Sequence, residues 1–213
     1  GFMESFTVLT IGNVNSLPTK TGYTITGWYQ TRNQDGSLSD LLIGDTWNTP
    51  VNKTLYAQIV TNEYTLTYKY VDGNGIEITD PAILSGLSPV QNGTETFTVL
   101  SSNNVDAVPS KDGFTISGWY QTKNGANLSN KLSSNTWNTP GDKTLYARIL
   151  TNEDTRTYKY VDSYGNMITD PVILSGLSPA QYGTEKFTVL SSNNVDPVPT
   201  KDGFTITGWY QTK

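Results

Sequence analysis

The chain has 213 residues, a net charge of −5, 15% charged residues, 11% aromatics, and neither cysteine nor histidine. No disulfide framework or thiolate zinc site can form, and Ser–His and Cys–His nucleophiles and the usual general base are missing, so neither catalysis nor a cofactor is expected. The basic residues are scattered singly, which gives nucleic acid no concentrated face, and no apolar run is long enough to span a bilayer.

Short apolar clusters separated by Thr, Ser, Asn and Gly predict a mainly β protein with many turns. In chain order, Gly1-Phe-Met-Glu-Ser5 shows no basic start or apolar core of a signal peptide, and Phe6-Thr-Val-Leu9, the counterpart of Phe97–Leu100, opens in mid-repeat. Gly22–Thr31 then runs β-branched and aromatic for ten residues, which predicts a strand. Arg32–Thr46 reads as a surface loop, Trp47-Asn-Thr-Pro50 ends it, and Thr54–Val60 predicts another strand. The polar Thr61-Asn-Glu63 is the best candidate boundary.

Beyond it, Thr65–Asp72 alternates and places Leu66, Tyr68 and Tyr70 on one face, and Asp72-Gly-Asn-Gly75 reads as a hairpin turn. Ile76–Ile78 returns, and Ala82–Leu87 leads to Gln91-Asn-Gly93. Phe97–Leu100 is a strand, and Ser101–Asn104 could cap one helical turn that Pro109 would stop. Here the chain has begun to repeat. Gly113–Thr122 matches Gly22–Thr31 and Gly203–Thr212, with the tryptophans spaced by 119 − 28 = 91 and 209 − 119 = 90 residues. The expected organisation is an incomplete repeat at 1–63 that lacks its first strands, a complete one at 64–153, and an incomplete one at 154–213 that lacks its last strand. Each unit of about 90 residues should hold five or so short strands and at most one short helix.

Residues 64–123 and 154–213 align without gaps and differ at 13 of 60 positions. Differences of this kind belong in turns and on exposed strand faces, so Leu66 (Arg156 in the next copy) and Asn74 (Tyr164) are both expected to face solvent. Period-2 alternation predicts a core of Phe97, Val99, Phe114, Ile116, Tyr120, Leu145, Ala147 and Ile149.

Pro109-Ser-Lys-Asp-Gly-Phe-Thr-Ile-Ser-Gly-Trp-Tyr120, followed by Trp137 and Thr144-Leu-Tyr-Ala147, resembles the Listeria–Bacteroides repeat, also called the internalin B-repeat. The upstream Tyr68-Lys-Tyr-Val-Asp-Gly-Asn-Gly-Ile76 is similar to the start of a mucin-binding-protein repeat. Both resemblances imply α+β, β-grasp-like modules strung along wall-attached adhesins of Gram-positive bacteria, outside the cell, as stalk or adhesive units. The partners so implied are a host glycan or host surface protein and the neighbouring repeats of the same chain.

Strict alternation from Phe114 puts Ile116 and Tyr120 on one face and Trp119 on the other, beside Thr115 and Ser117. An outward indole could stack on a sugar, so Trp28, Trp119 and Trp209, with Trp47 and Trp137, are the candidate ligand-binding residues. The structural alternative covers Trp119 with its own loop, against Trp137 or Pro140, in a small second cluster. Asp72–Gly75 reads as a plain turn in preference to a calcium loop, because the next copy puts Tyr164 where a ligand should stand. Lys69 could in principle form an isopeptide bond with an Asn or Asp. Asp80 and Asp170, each before proline, have no acidic partner at a spacing that argues for hydrolysis.

Overall fold

The computed structural model describes residues 3, 14–44, 51–101, 105–134, 139–191 and 195–211. It is mainly β, with 38% strand and 4% helix. In the first repeat, β1 (Tyr23–Arg32), β2 (Leu38–Leu41) and β3 (Tyr56–Thr61) form an antiparallel sheet with β1 in the middle. Residues 63–151 supply β4 (Glu63–Val71), the helical turn α1 (Pro81–Leu84), β5 (Thr94–Thr98), β6 (Phe114–Ile116), β7 (Tyr120–Asn124), β8 (Asn127–Lys131) and β9 (Lys143–Thr151). The third repeat begins with β10 (Asp154–Thr157), α2 (Pro171–Leu174) and β11 (Thr184–Phe187), of which the two strands pair antiparallel.

The middle sheet runs β5-β4-β9-β7-β8, with β6 also on β9. Its centre is the parallel pair of β4 and β9, from Leu66 opposite Lys143 to Val71 opposite Arg148; β5 and β7 flank it antiparallel. A parallel pair cannot be closed by a hairpin and needs a long crossover, which residues 72–142 provide. First and last strands lying side by side in the centre make the unit β-grasp-like, with its helix reduced to one turn.

The helical turn expected at Ser101–Asn104 falls on residues 102–104, which lie outside the described set. The described helical turn, α1, begins at Asp80, whose Oδ1 accepts a hydrogen bond from the Ala82 amide at 2.8 Å, with Pro81 in the first helical turn. An Asp-Pro pair is a good helix start, since the carboxylate caps a free N–H and proline lacks one. The other end is closed from outside: Lys111 Nζ donates to the carbonyls of Ala82, Ile83 and Ser85 at 2.7–2.8 Å. Asp170 and Lys201 repeat the arrangement around α2. The turn at Asp72 forms as expected, with Asp72 Oδ1 accepting from the amides of Asn74 and Ile76.

The core gathers Leu66, Tyr68, Tyr70, Ile78, Leu87, Phe97, Val105, Phe114, Trp119, Leu145, Ala147 and Ile149. Leu145, Ala147 and Ile149 point inward as the alternation predicts, whereas Val99, Ile116 and Tyr120 are only half-buried. Two expectations are overturned. Leu66 is 1% exposed instead of solvent-facing, as the alternation with Tyr68 and Tyr70 itself required. Arg156 can stand at the same position because its guanidinium lies 5.0 Å over the Phe187 ring and 3.5 Å from Glu185. A long stem along the sheet with its charge carried to the rim keeps the face apolar. The second correction concerns Trp119 and changes the candidate site.

Candidate functional site

Trp119 is 2% exposed and belongs to the main core, opposite to the outward face that strict alternation gave it. The reason is a β-bulge. On β9, Ile116 stands opposite Ile149 (116 + 149 = 265), but Tyr120 stands opposite Tyr146 (120 + 146 = 266). One extra residue between them reverses the parity of everything that follows, so Trp119 turns in with Phe114 and Tyr120 turns towards solvent. The first repeat shifts register at the same place, between Ile25 and Trp28, where Gly27 takes a φ of 142°.

Inside, the indole packs against Tyr68 and Tyr70, with centroids 4.9 and 5.5 Å away and planes tilted by 51° and 43°. Its Nε1–H donates to the Asp106 carbonyl at 2.9 Å. The same bond spans 13 residues in every repeat, from Trp28 to Asn15 at 2.8 Å and from Trp209 to Asp196 at 2.8 Å. Trp209 also packs on Tyr158 and Tyr160 at 4.8 and 5.3 Å. Trp28 and Trp209 are half-buried. Trp47 and Trp137 lie outside the described residues, so the cover expected from Trp137 does not enter the account, and Trp119 is closed over by β4.

The tyrosines are equally committed. Tyr70 Oη donates to the Pro89 carbonyl at 2.7 Å, and Tyr160 repeats this with Pro179. Tyr68 Oη donates to Glu95 Oε2 at 3.0 Å and accepts from the Asp106 amide at 2.8 Å. Burial pushes the phenols of Tyr68 and Tyr70 well above the usual tyrosine range. Burial also raises the Glu95 carboxyl, against the Tyr68 hydrogen bond that lowers it, with the nearby Asp106 carboxylate adding to the rise.

Sequence reasoning missed Gln91. Its Oε1 accepts from the Tyr70 amide at 2.5 Å, and its Nε2 donates to the carbonyls of Tyr70 and Ile78 at 3.3 and 3.2 Å. Gln181 clamps Tyr160 and Ile168 in the same way. A glutamine beside a turn glycine in both copies was the available signal.

Among the described residues no cluster of His, Cys, Asp or Glu could hold a metal ion. Lys69 Nζ pairs with Glu77 Oε1 at 2.6 Å, which occupies the amine considered for an isopeptide bond. The concave surface of the first repeat, lined by Leu17, Pro18, Lys20, Tyr23 and Ile25, matches the region where Lys111 of the middle repeat receives α1.

Comparison with known proteins assigns residues 7–58 and 64–148 to the Listeria-Bacteroides repeat domain. The chain belongs to this family. The second match begins at residue 64 and so takes in Tyr68–Ile76; the likeness of that segment to a mucin-binding-protein repeat gains no support from it. The chain is 33% identical over 144 residues to Internalin H of Listeria monocytogenes serovar 1/2a, covering 64% of this chain and 21% of that protein. It is 26% identical over 198 residues to a protein of Evansella cellulosilytica named "Putative Gly-rich membrane protein", covering 92% of this chain and 18% of that one. The chain thus spans about a fifth of the length of these relatives. The family is a repeat module of the surface-protein type and not an enzyme family. Among the described residues no helix is long and apolar enough to cross a membrane.

Proposed function

We propose that these repeats are non-catalytic spacers of an extracellular, cell-wall-attached bacterial adhesin, holding a distal adhesive region away from the wall. One observation carries the reading: every strand pairing among the described residues closes within a single repeat. Repeats that complete their own sheets and contact only their neighbours add length in proportion to their number. The burial of Trp119 and the engagement of all three motif indoles by backbone carbonyls fit a structural use of the tryptophans.

A binding screen of the whole chain against host and wall glycans and host surface proteins tests the proposal. A spacer gives no saturable binding. Saturable binding that competes with free ligand would favour the other reading, in which the repeats are themselves a recognition module. Trp119→Ala is a poor control for that screen, since it empties the core; Tyr164→Ser, at an 89% exposed position, is a better one.

A further inference from the structure

The joints between repeats are built alike and leave little free chain. Asn62 is the one residue between β3 and β4, and Asn152-Glu153 the only ones between β9 and β10. Each asparagine, at the end of its repeat, is strapped to the start of that same repeat's Gly-aromatic-Thr strand. The Asn62 amide donates to the Gly22 carbonyl at 3.0 Å, and Asn62 Oδ1 accepts from Thr24 Oγ1 at 2.6 Å. The Asn152 amide donates to the Gly113 carbonyl at 2.9 Å, and its Oδ1 accepts from Thr115 Oγ1 at 2.6 Å.

A second contact reaches back across each joint. A Cβ built on Gly22 would collide with the side chain of Val99, and one built on Gly113 with that of Val189. Both valines belong to the following repeat, one or two residues past β5 and β11. Antiparallel pairing explains their position: with Glu63 opposite Thr98, the next step of the register sets Val99 across from Asn62. Gly203 has the same left-handed φ of 80° as Gly113, yet nothing lies within 4 Å of its Cβ position. The crowding at Gly22 and Gly113 therefore comes from the next repeat and not from their own.

We propose that this valine-on-glycine contact, with the asparagine strap, is a stiff joint that fixes one repeat's orientation on the next. The surface around each Gly-aromatic-Thr start is thus a docking face whose partner is the valine of the following repeat. Without such contacts, relative motion of neighbouring modules is the default. The inference deepens the spacer reading and rests on it for its purpose, since a stiff joint transmits length and a loose one does not. Stiffness and extension are nevertheless measured separately, because a stiff array could also be folded back.

The chain has no cysteine, so paired spin labels can be placed on the full chain without interference. Ile76→Cys with Val172→Cys spans the second joint, and Ile76→Cys with Val90→Cys stays within one repeat; all three positions are exposed. Pulsed electron spin resonance should give a distance distribution across the joint as narrow as the one within the repeat. Adding Val189→Ser and Asn152→Ala should broaden the cross-joint distribution at least about twofold, towards freely moving modules, while leaving the distribution within the repeat unchanged. Thr115→Val, which removes only the strap's side-chain bond, should broaden it less. A cross-joint distribution already broad in the parent chain overturns the proposal, and so does one that the double substitution leaves narrow.

Discussion

At the scale of the residue, the repeat is organised around an indole set on two tyrosines, each fixed by a hydrogen bond to a named partner. Trp119→Ala should cost about 3–5 kcal/mol, the range for emptying an aromatic site in a core. Urea unfolding followed by far-UV circular dichroism would measure it, and a cost below about 1 kcal/mol would mean that the indole does not close the core. Glu95 gives a pH test. Its carboxyl is raised from 4.5 in the folded chain, chiefly by burial, so between 4.5 and that raised value the folded state holds more protons than the unfolded one. This contribution is present at low pH and is lost as pH rises through the folded pKa. Glu95→Gln keeps an oxygen for the Tyr68 hydroxyl and removes the titration. The stability difference between variant and parent should then shift in the variant's favour as pH rises from about 4 to 7. A difference independent of pH would show that Glu95 titrates alike in both states.

At the scale of the element, the inward set Leu145, Ala147 and Ile149 was legible from alternation, since the extra residue of the bulge lies on the β6–β7 side and β9 itself runs on in strict alternation, in unbroken register with β4 from Lys143 to Arg148. Leu145→Ala should cost about 2–5 kcal/mol by denaturant unfolding. The face of Trp119 was not legible, because a single inserted residue reverses a period-2 pattern while leaving composition and propensity unchanged. Gly27 and Gly118 were the only trace of it in the sequence. The bulge yields its own prediction: deleting Gly118 removes the extra residue, so strict alternation then sets the indole on the same inward face as Phe114 and Ile116, and the buried-tryptophan emission should be retained. A red shift of that emission, reporting an outward indole, would contradict the parity argument. The helical turns escaped notice because Asp80 and Asp170 were weighed as acids and not as caps. The parallel pairing of β4 with β9 joins segments more than 70 residues apart, and nothing local specifies such a partner. The family resemblance, by contrast, rested on contiguous motif residues and was readable directly.

At the scale of the whole molecule, the third repeat has a core less well covered than the second. Tyr210 is 77% exposed where Tyr120 is half-buried, and Trp209 is half-buried where Trp119 is closed. With 13 differences in 60 aligned positions, the contrast follows the pairing more than the composition: among the described residues β4 lies between β5 and β9, whereas β10 pairs with β11 alone. Hydrogen exchange should therefore be faster in residues 154–211 than in the same segment of the middle repeat, with β4 and β9 the slowest of all. Equal protection in the two copies would place that strand outside the cooperative core. Small-angle X-ray scattering of the whole chain tests the spacer account most directly. A compact body of 213 residues has a radius of gyration of about 17 Å. Repeats in an extended line require a value well above that and a distance distribution with a long tail. A radius near 17 Å with a symmetric distribution would mean that the repeats fold back on one another, and the spacer reading would fail.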